Sequence, residues 1–188
     1  MNAIETEDLR IPVADGTTMD GYLARPVGSG PHPALLVFQE IFGVNEHIRD
    51  IVRRFAAEGY VALAPDLFHR FAPRYEGSYD DIPASIALSG KLVPEGLIAD
   101  ILASGAALDA HAAVARGRIA AVGYCMGGGM AFAANAVLPL RAAVSYYGTP
   151  PAEKQESLAA ALHGPTLFVW AGADPYIALE RRRAVVDV

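Results

Sequence analysis

Short apolar runs alternate with stretches of helical periodicity along most of the chain. In the clearest helical stretch, apolar residues recur at intervals of three and four from Ile48 to Phe55. Asn45 stands where such a helix would be capped, and Gly59 stands where it would end. The apolar runs span four or five residues, as is typical of strands buried on both faces of a parallel sheet. Strands are predicted at 34–37, 60–64, 119–123, 142–146 and 166–170, with further helices at 95–113 and 130–136.

Before the first of these strands, the pattern indicates a β-hairpin. Positions 8–13 and 19–25 read as strands, and Ala14-Asp15-Gly16 between them is a turn sequence. Because strands then alternate with helices, we expect an α/β fold with a mostly parallel central sheet and helices on both faces. The sequence shows no repeat and no linker, so residues 1–188 are predicted to form a single domain.

The stretch 71–94 departs from this alternation. Prolines and glycines recur through it and are expected to break any regular element. It follows the strand 60–64, and open α/β sheets place their ligand sites beyond the carboxyl ends of strands. We therefore expect an irregular segment that forms part of the wall of a substrate pocket. The residues that break regularity are Pro73, Gly77, Pro83, Gly90 and Pro94.

Composition and charge narrow the classes of partner. Hydrophobic residues make up 53% of the 188, and a domain of this size buries about 70% of its unfolded surface. The net charge of −6 argues against a nucleic-acid partner. No apolar run approaches a membrane span and the first five residues lack the basic start of a signal peptide, so a cytoplasmic location is expected. One cysteine excludes an internal disulfide framework, and no His/Cys/Asp cluster has metal-ligand spacing, so no metal and no organic cofactor is expected.

The single cysteine lies in Gly123-Tyr124-Cys125-Met126-Gly127, between a predicted strand and a predicted helix. This arrangement fits the nucleophile elbow, a sharp turn that exposes a nucleophile at the top of a parallel sheet. One alternative is a buried, inert thiol, which is the usual state of a lone cysteine. A phosphate-binding loop is the other alternative, but the glycine spacing fits neither the dinucleotide nor the P-loop pattern.

An elbow at this position would serve two chemical needs. The N-terminus of the following helix favours the thiolate, so Cys125 is expected to have a lower pKa than a free thiol and to be more reactive. The backbone N–H of Met126 would point toward a developing acyl oxyanion and form half of an oxyanion hole. The second N–H is expected from the loop at 38–45, after the first parallel strand.

Four motifs together resemble the dienelactone hydrolase family, and the resemblance extends over about residues 5–180. It implies an α/β-hydrolase fold, a Cys-His-Asp triad and cleavage of an ester or lactone. By this resemblance Cys125 is the nucleophile and Asp174 the triad acid. Glu40 matches the carboxylate beside the family's thiol, and Ile41 matches the second oxyanion donor. The motifs are Q-E-I-F-G-V-N at 39–45, A-P-D-L-F at 64–68, G-Y-C-M-G-G at 123–128 and Y-Y-G at 146–148.

Each of the remaining candidate residues also has a simpler interpretation. Glu40 ends an apolar strand, but it could be a satisfied loop acid that caps the next helix. Asp174 follows a strand, as site residues of α/β sheets do, but an Asp before a Pro is equally typical of a turn. Arg70 and Arg74 are predicted to bind a substrate carboxylate, as arginines do in the resembled family, or else to be solvated loop residues. A basic run at 181–183 is predicted to be a solvated helix face.

The order nucleophile, acid, histidine that α/β-hydrolases follow is not completed within this sequence. All five histidines precede Asp174. We therefore expect the final strand, the loop that carries the triad histidine and the last helix to be missing. Two functions stay open: a hydrolase of ester or lactone bonds in a small-molecule substrate, and a catalytically impaired or non-catalytic binding or scaffold protein. The strand 166–170 would then form an open sheet edge through which the chain is predicted to self-associate.

Overall fold

A computed structural model of the protein describes residues 2–28 and 30–187. Within these residues, seven strands form a single sheet in the order β1-β2-β4-β3-β5-β6-β7. The strands are β1 (Ile4–Pro12), β2 (Thr18–Pro26), β3 (His32–Phe38), β4 (Val61–Pro65), β5 (Val114–Tyr124), β6 (Ala143–Tyr146) and β7 (Thr166–Val169).

The sheet is mostly parallel, as the sequence predicts. Strands β1 and β2 form the expected antiparallel hairpin, which closes where Pro12 pairs with Thr18, and β2 continues antiparallel to β4. The pairs from β4 through β3, β5 and β6 to β7 are all parallel. The carboxyl ends of these parallel strands therefore meet at one edge of the sheet, where the loops that carry the candidate residues emerge.

Helices cover the sheet on both faces. They are α1 (Glu46–Ala57), α2 (Ile82–Ser89), α3 (Pro94–Ala110), α4 (Met126–Val137), α5 (Gln155–Ala159) and α6 (Leu179–Val186). On one face, α1 buries Ile48, Ile51 and Val52 against β3 and β4, and the Asn45 side chain caps it by accepting the Ile48 N–H at 3.2 Å. On the other face, α3 and α4 pack against the centre of the sheet and enclose the larger core. No helix among the described residues has the length and apolarity needed to cross a membrane.

The prediction that prolines and glycines break all regularity across 71–94 is wrong. Residues Ile82–Ser89 form α2, and the Asp81 side chain accepts the Ala84 N–H at its start. Pro83 lies in the first turn of this helix, where a missing N–H breaks no intrahelical hydrogen bond. The proline that was expected to exclude a helix therefore begins one. Residues 71–81 are irregular, as expected.

Candidate active site

Cys125 occupies a strained turn between β5 and α4. Its backbone has φ 55° and ψ −120°, a conformation that L-residues rarely adopt. The flanking glycines permit this turn because there is no room for side chains: a Cβ on Gly123 would lie 1.8 Å from the Gly127 carbonyl oxygen. A Cβ on Gly127 would lie 2.3 Å from the Phe38 carbonyl oxygen. The spacing of the two glycines thus reflects the close packing of the elbow on the end of β3.

Two backbone amides lie near the sulfur of Cys125. The amide of Met126, at the first residue of α4, and the amide of Ile41, in the loop after β3, are both close enough to the thiol to lower its pKa. Gln39 ties that loop to the next one, since its buried side chain accepts the Leu67 N–H at 3.2 Å. The two amides that the sequence assigns to an oxyanion hole therefore both lie near this thiol, and their role toward a substrate oxyanion stays a prediction.

Glu40 lies beside these amides, buried, with both carboxylate oxygens held by tyrosines. The hydroxyl of Tyr79 donates to Oε2 at 2.7 Å, and that of Tyr147 donates to Oε1 at 3.2 Å. Sequence reasoning assigned no role to either tyrosine. Tyr147 belongs to the Y-Y-G motif, but the motif did not indicate a contact between Tyr147 and Glu40. Tyr79 lies in the irregular segment, where no motif pointed to it.

The expectation of a lowered pKa for Cys125 is wrong. Burial of the thiol is the largest influence and raises its pKa, and the negative charges of Glu40 and Asp174 raise it further. The hydrogen bonds from the Met126 and Ile41 amides lower the pKa but do not outweigh these effects. The helix N-terminus is present as predicted, but desolvation and two carboxylates outweigh it.

Asp174 follows β7, near enough to Cys125 for its charge to influence the thiol. Its Oδ1 accepts the backbone N–H groups of Tyr176 at 2.8 Å and Ile177 at 3.2 Å. This is the turn geometry that an Asp before a Pro favours. The turn fixes the position of the carboxylate, so the turn interpretation and the triad interpretation are compatible.

Arg70 and Arg74 are both paired with carboxylates of the chain itself. Arg70 binds both oxygens of the fully buried Asp100, at 2.7 and 2.8 Å, and also Asp15 at 2.7 Å. Arg74 binds Asp20 at 2.7 Å through Nε. Among the described contacts, neither arginine reaches the thiol or Glu40. These pairs hold the segment after β4 to the β1–β2 hairpin and to α3, and the substrate-binding role of the arginines stays a prediction.

The polar contacts of the histidines lead to other residues, and the ring of His47 packs edge-on against Tyr124 with centroids 6.4 Å apart. The buried Nε2 of His69 is 3.1 Å from Oδ1 of Asp100, and Nε2 of His111 is 2.9 Å from Oε1 of Glu7. Within residues 2–28 and 30–187, no hydrogen bond joins a histidine to the thiol or to Asp174. The same residues contain no group of three His, Cys, Asp or Glu side chains that could hold a metal ion. The histidines are His32, His47, His69, His111 and His163.

A strained turn between a central parallel strand and the following helix, with closely packed glycines on both sides, is typical of the α/β-hydrolase class. Residues 19–186 match the model of the dienelactone hydrolase family, and the chain belongs to this family. The fold agrees with a solved dienelactone hydrolase-type structure from Klebsiella pneumoniae subsp. pneumoniae MGH 78578. The two share 34% sequence identity and superpose with a TM-score of 0.86 over 99% of this chain and 82% of that one.

Curated relatives point in the same direction. A Synechocystis protein, named provisionally as a carboxymethylenebutenolidase, is 40% identical over 132 residues, which cover 68% of this chain and 53% of the relative. An Escherichia coli K12 protein with the same provisional name is 37% identical over 182 residues, or 89% of this chain and 64% of the relative. The chain thus spans between about half and two thirds of the length of these two relatives.

Proposed function

We propose that the protein is a cysteine hydrolase that cleaves an ester or lactone bond in a small-molecule substrate. The observation that carries this proposal is the strained turn at Cys125, with φ 55° and ψ −120°, which closely packed glycines permit on both sides of the thiol. An inert core cysteine does not need a strained backbone, whereas the nucleophile of an α/β-hydrolase elbow has one. Family membership and the names of the relatives support an ester or lactone as the substrate class.

The proposed reaction begins with attack of the Cys125 sulfur on the carbonyl carbon, while the thiol proton passes to solvent water. The carbonyl oxygen becomes an oxyanion that the N–H groups of Met126 and Ile41 stabilise. The C–O bond then breaks, the alkoxide leaves with a proton, and water hydrolyses the thioester to release the acid. In this proposal Asp174 would orient an imidazole, and all five histidines of the sequence precede it.

A second candidate is a non-catalytic binding or scaffold protein. The specific observation that favours it is the pairing of His69 and His111 with carboxylates away from the thiol. General acid-base assistance is typically worth 10²- to 10⁴-fold, so a site without it would turn over slowly. Both candidate functions use the same group of residues around Cys125 but differ in whether Cys125 forms a covalent acyl intermediate.

Acylation by p-nitrophenyl acetate separates the two candidates. Stopped-flow absorbance should show a burst of nitrophenolate close to one equivalent per chain, followed by slow turnover, because a thiol needs less help in attack than in deacylation. Mass spectrometry should place the acetyl group on Cys125, and the Cys125→Ala variant should show neither burst nor adduct. A chain that binds the ester without acquiring an acetyl group would support the scaffold function instead. Adding free imidazole should accelerate turnover of the wild-type chain if the missing assistance is a base.

A further inference from the structure

Tyr79 reaches the candidate site from the irregular segment between β4 and α2. Its hydroxyl donates to Glu40 Oε2 at 2.7 Å, within the range of a strong hydrogen bond to a charged acceptor. The residue as a whole is 54% exposed, while its hydroxyl contacts the buried Glu40. Tyr79 is therefore both a partner of Glu40 and part of the exposed rim beside the thiol.

The position of Tyr79 is set by the loop that also carries the Ile41 amide. The Gly77 N–H donates to the Phe42 carbonyl at 2.9 Å, and the Tyr79 ring packs on Phe42 with centroids 4.3 Å apart. The Tyr75 carbonyl oxygen fits so closely over Gly43 that a Cβ there would lie 1.9 Å from it. These contacts hold the segment and the loop together, so the Tyr79 hydroxyl is directed to Glu40 by the backbone around it.

Tyr147 provides the second hydroxyl from a different element. It directly follows β6, and its φ of 41° is held by a backbone hydrogen bond from its N–H to the Val169 carbonyl at 2.9 Å. Its bond to Glu40 is longer, at 3.2 Å. The shorter bond from Tyr79 is therefore the stronger of the two that hold the carboxylate.

We propose that Tyr79 is a positioning residue for Cys125: its hydroxyl holds the Glu40 carboxylate in place and offsets part of its negative charge. This role rests on the proposed function of Cys125 as the nucleophile. The ionisable groups around the thiol are Glu40 and Asp174, together with the hydroxyls of Tyr79, Tyr147 and Tyr124. Among them, the hydroxyls of Tyr79 and Tyr147 donate hydrogen bonds to the Glu40 carboxylate and so offset part of its charge.

Removal of the Tyr79 hydroxyl should make Cys125 less reactive. Without the Tyr79 hydroxyl, the Glu40 carboxylate has one hydrogen-bond donor fewer, so its negative charge is less offset and its position is less fixed. The repulsion between this carboxylate and a thiolate at Cys125 then increases, which disfavours the thiolate. In Tyr79→Phe, iodoacetamide labelling of Cys125 at neutral pH should slow by about threefold, which corresponds to an upward shift of about half a unit in the apparent pKa. The ring of phenylalanine keeps the packing on Phe42, so the fold is not expected to change.

The test is a double-mutant cycle with Glu40→Gln. We would measure the labelling rate against pH, and the thiolate ultraviolet absorbance as the difference between each variant and its Cys125→Ala counterpart. If Tyr79 acts through Glu40, Tyr79→Phe slows labelling in the wild-type background and has no effect in the Glu40→Gln background. Tyr75→Phe is the matched control, because its hydroxyl bonds to Ser85 in the same segment, 3.1 Å away, and it should label at the wild-type rate.

Two results would overturn the inference. The first is an unchanged or faster labelling rate in Tyr79→Phe, and the second is an equal slowing with and without the Glu40 charge. Both readouts concern the thiol alone and need no ester cleavage. If labelling changes as expected but no acetyl adduct forms, the proposed hydrolase function is rejected and the effect of Tyr79 on the thiol is kept. If the acetyl adduct forms but labelling does not change as expected, the hydrolase function is kept and the role of Tyr79 is rejected.

Discussion

At the scale of single residues, the sulfur of Cys125 experiences opposing influences. Burial and the charges of Glu40 and Asp174 favour the neutral thiol, whereas the amides of Met126 and Ile41 favour the thiolate. Burial and the two negative charges have the larger effect, so the pKa of the Cys125 thiol is raised. A thiol held neutral in the resting site is protected from adventitious alkylation and oxidation, since the thiolate is the reactive form.

Replacing Glu40 with glutamine should make this thiol more reactive. The charge that raises the pKa of Cys125 is removed, so the pKa falls and a larger fraction of thiolate is present at any pH below it. We expect iodoacetamide labelling at pH 7 to accelerate about tenfold, which corresponds to a downward shift of about one pKa unit. The rate should rise with pH in both proteins, with the midpoint at lower pH in the variant.

The matched control is Glu58→Gln, which removes an exposed carboxylate at the end of α1. It should label like the wild-type chain. Equal rates in wild type and Glu40→Gln would show that Glu40 exerts no charge effect on the sulfur, and the assignment of Glu40 to the site would then be wrong.

At the scale of elements, the candidate site depends on backbone segments that pack so closely that no side chain fits between them. The elbow between β5 and α4 rests on the end of β3, with Gly127 against the carbonyl oxygens of Phe38 and Gln39. Gly148, after β6, is equally tight, since a Cβ there would lie 2.3 Å from the Cys125 carbonyl oxygen. Because the obstructing atoms are backbone, they cannot move aside as a flexible side chain would.

The variant Gly127→Ala should therefore destabilise the fold. Its Cβ would lie 2.3 and 2.6 Å from two carbonyl oxygens, and relieving this contact would separate α4 from β3. We expect the free energy of unfolding to fall by about 3 kcal/mol, the upper part of the usual range for overpacking. Gly90→Ala is the control. Gly90 has helical φ and ψ, and an added Cβ would have no neighbour closer than 3.5 Å, so the stability of this variant should be unchanged or slightly higher. Urea unfolding of both variants measures the difference, and equal midpoints would contradict the packing argument.

The sequence predicted those elements whose signals are local and periodic. The helix that Asn45 caps and the elbow at Cys125 carry their own patterns, and both lie where expected. α2 was missed because a proline in a first turn resembles a helix breaker when no structure is at hand. Tyr79 was missed for a different reason: its contact with Glu40 spans 39 positions of sequence, and no periodic pattern records such a contact.

At the scale of the whole molecule, β7 is the last strand on one side of the sheet that the described residues form. Within the described residues, β7 pairs with β6 on one side and has no strand on the other. Leu167 and Val169 project from it with 58% and 38% of their surfaces exposed. An edge strand with unpaired backbone groups and apolar side chains is a template for pairing with another chain.

The last prediction is that the 188-residue chain self-associates through β7. Pairing of two such edges would satisfy the free backbone groups and bury Leu167 and Val169, and a two-fold dimer is the simplest closed form. Light scattering coupled to size-exclusion chromatography should show a mass that rises with concentration. Leu167→Lys should shift the equilibrium to the monomer, because a charge on an edge opposes pairing. Leu102→Lys, at a site on α3 with 45% exposure, changes the net charge equally and should leave the association unchanged. A monomer at every concentration, or equal effects of the two lysines, would mean that the open edge of β7 is not the contact surface.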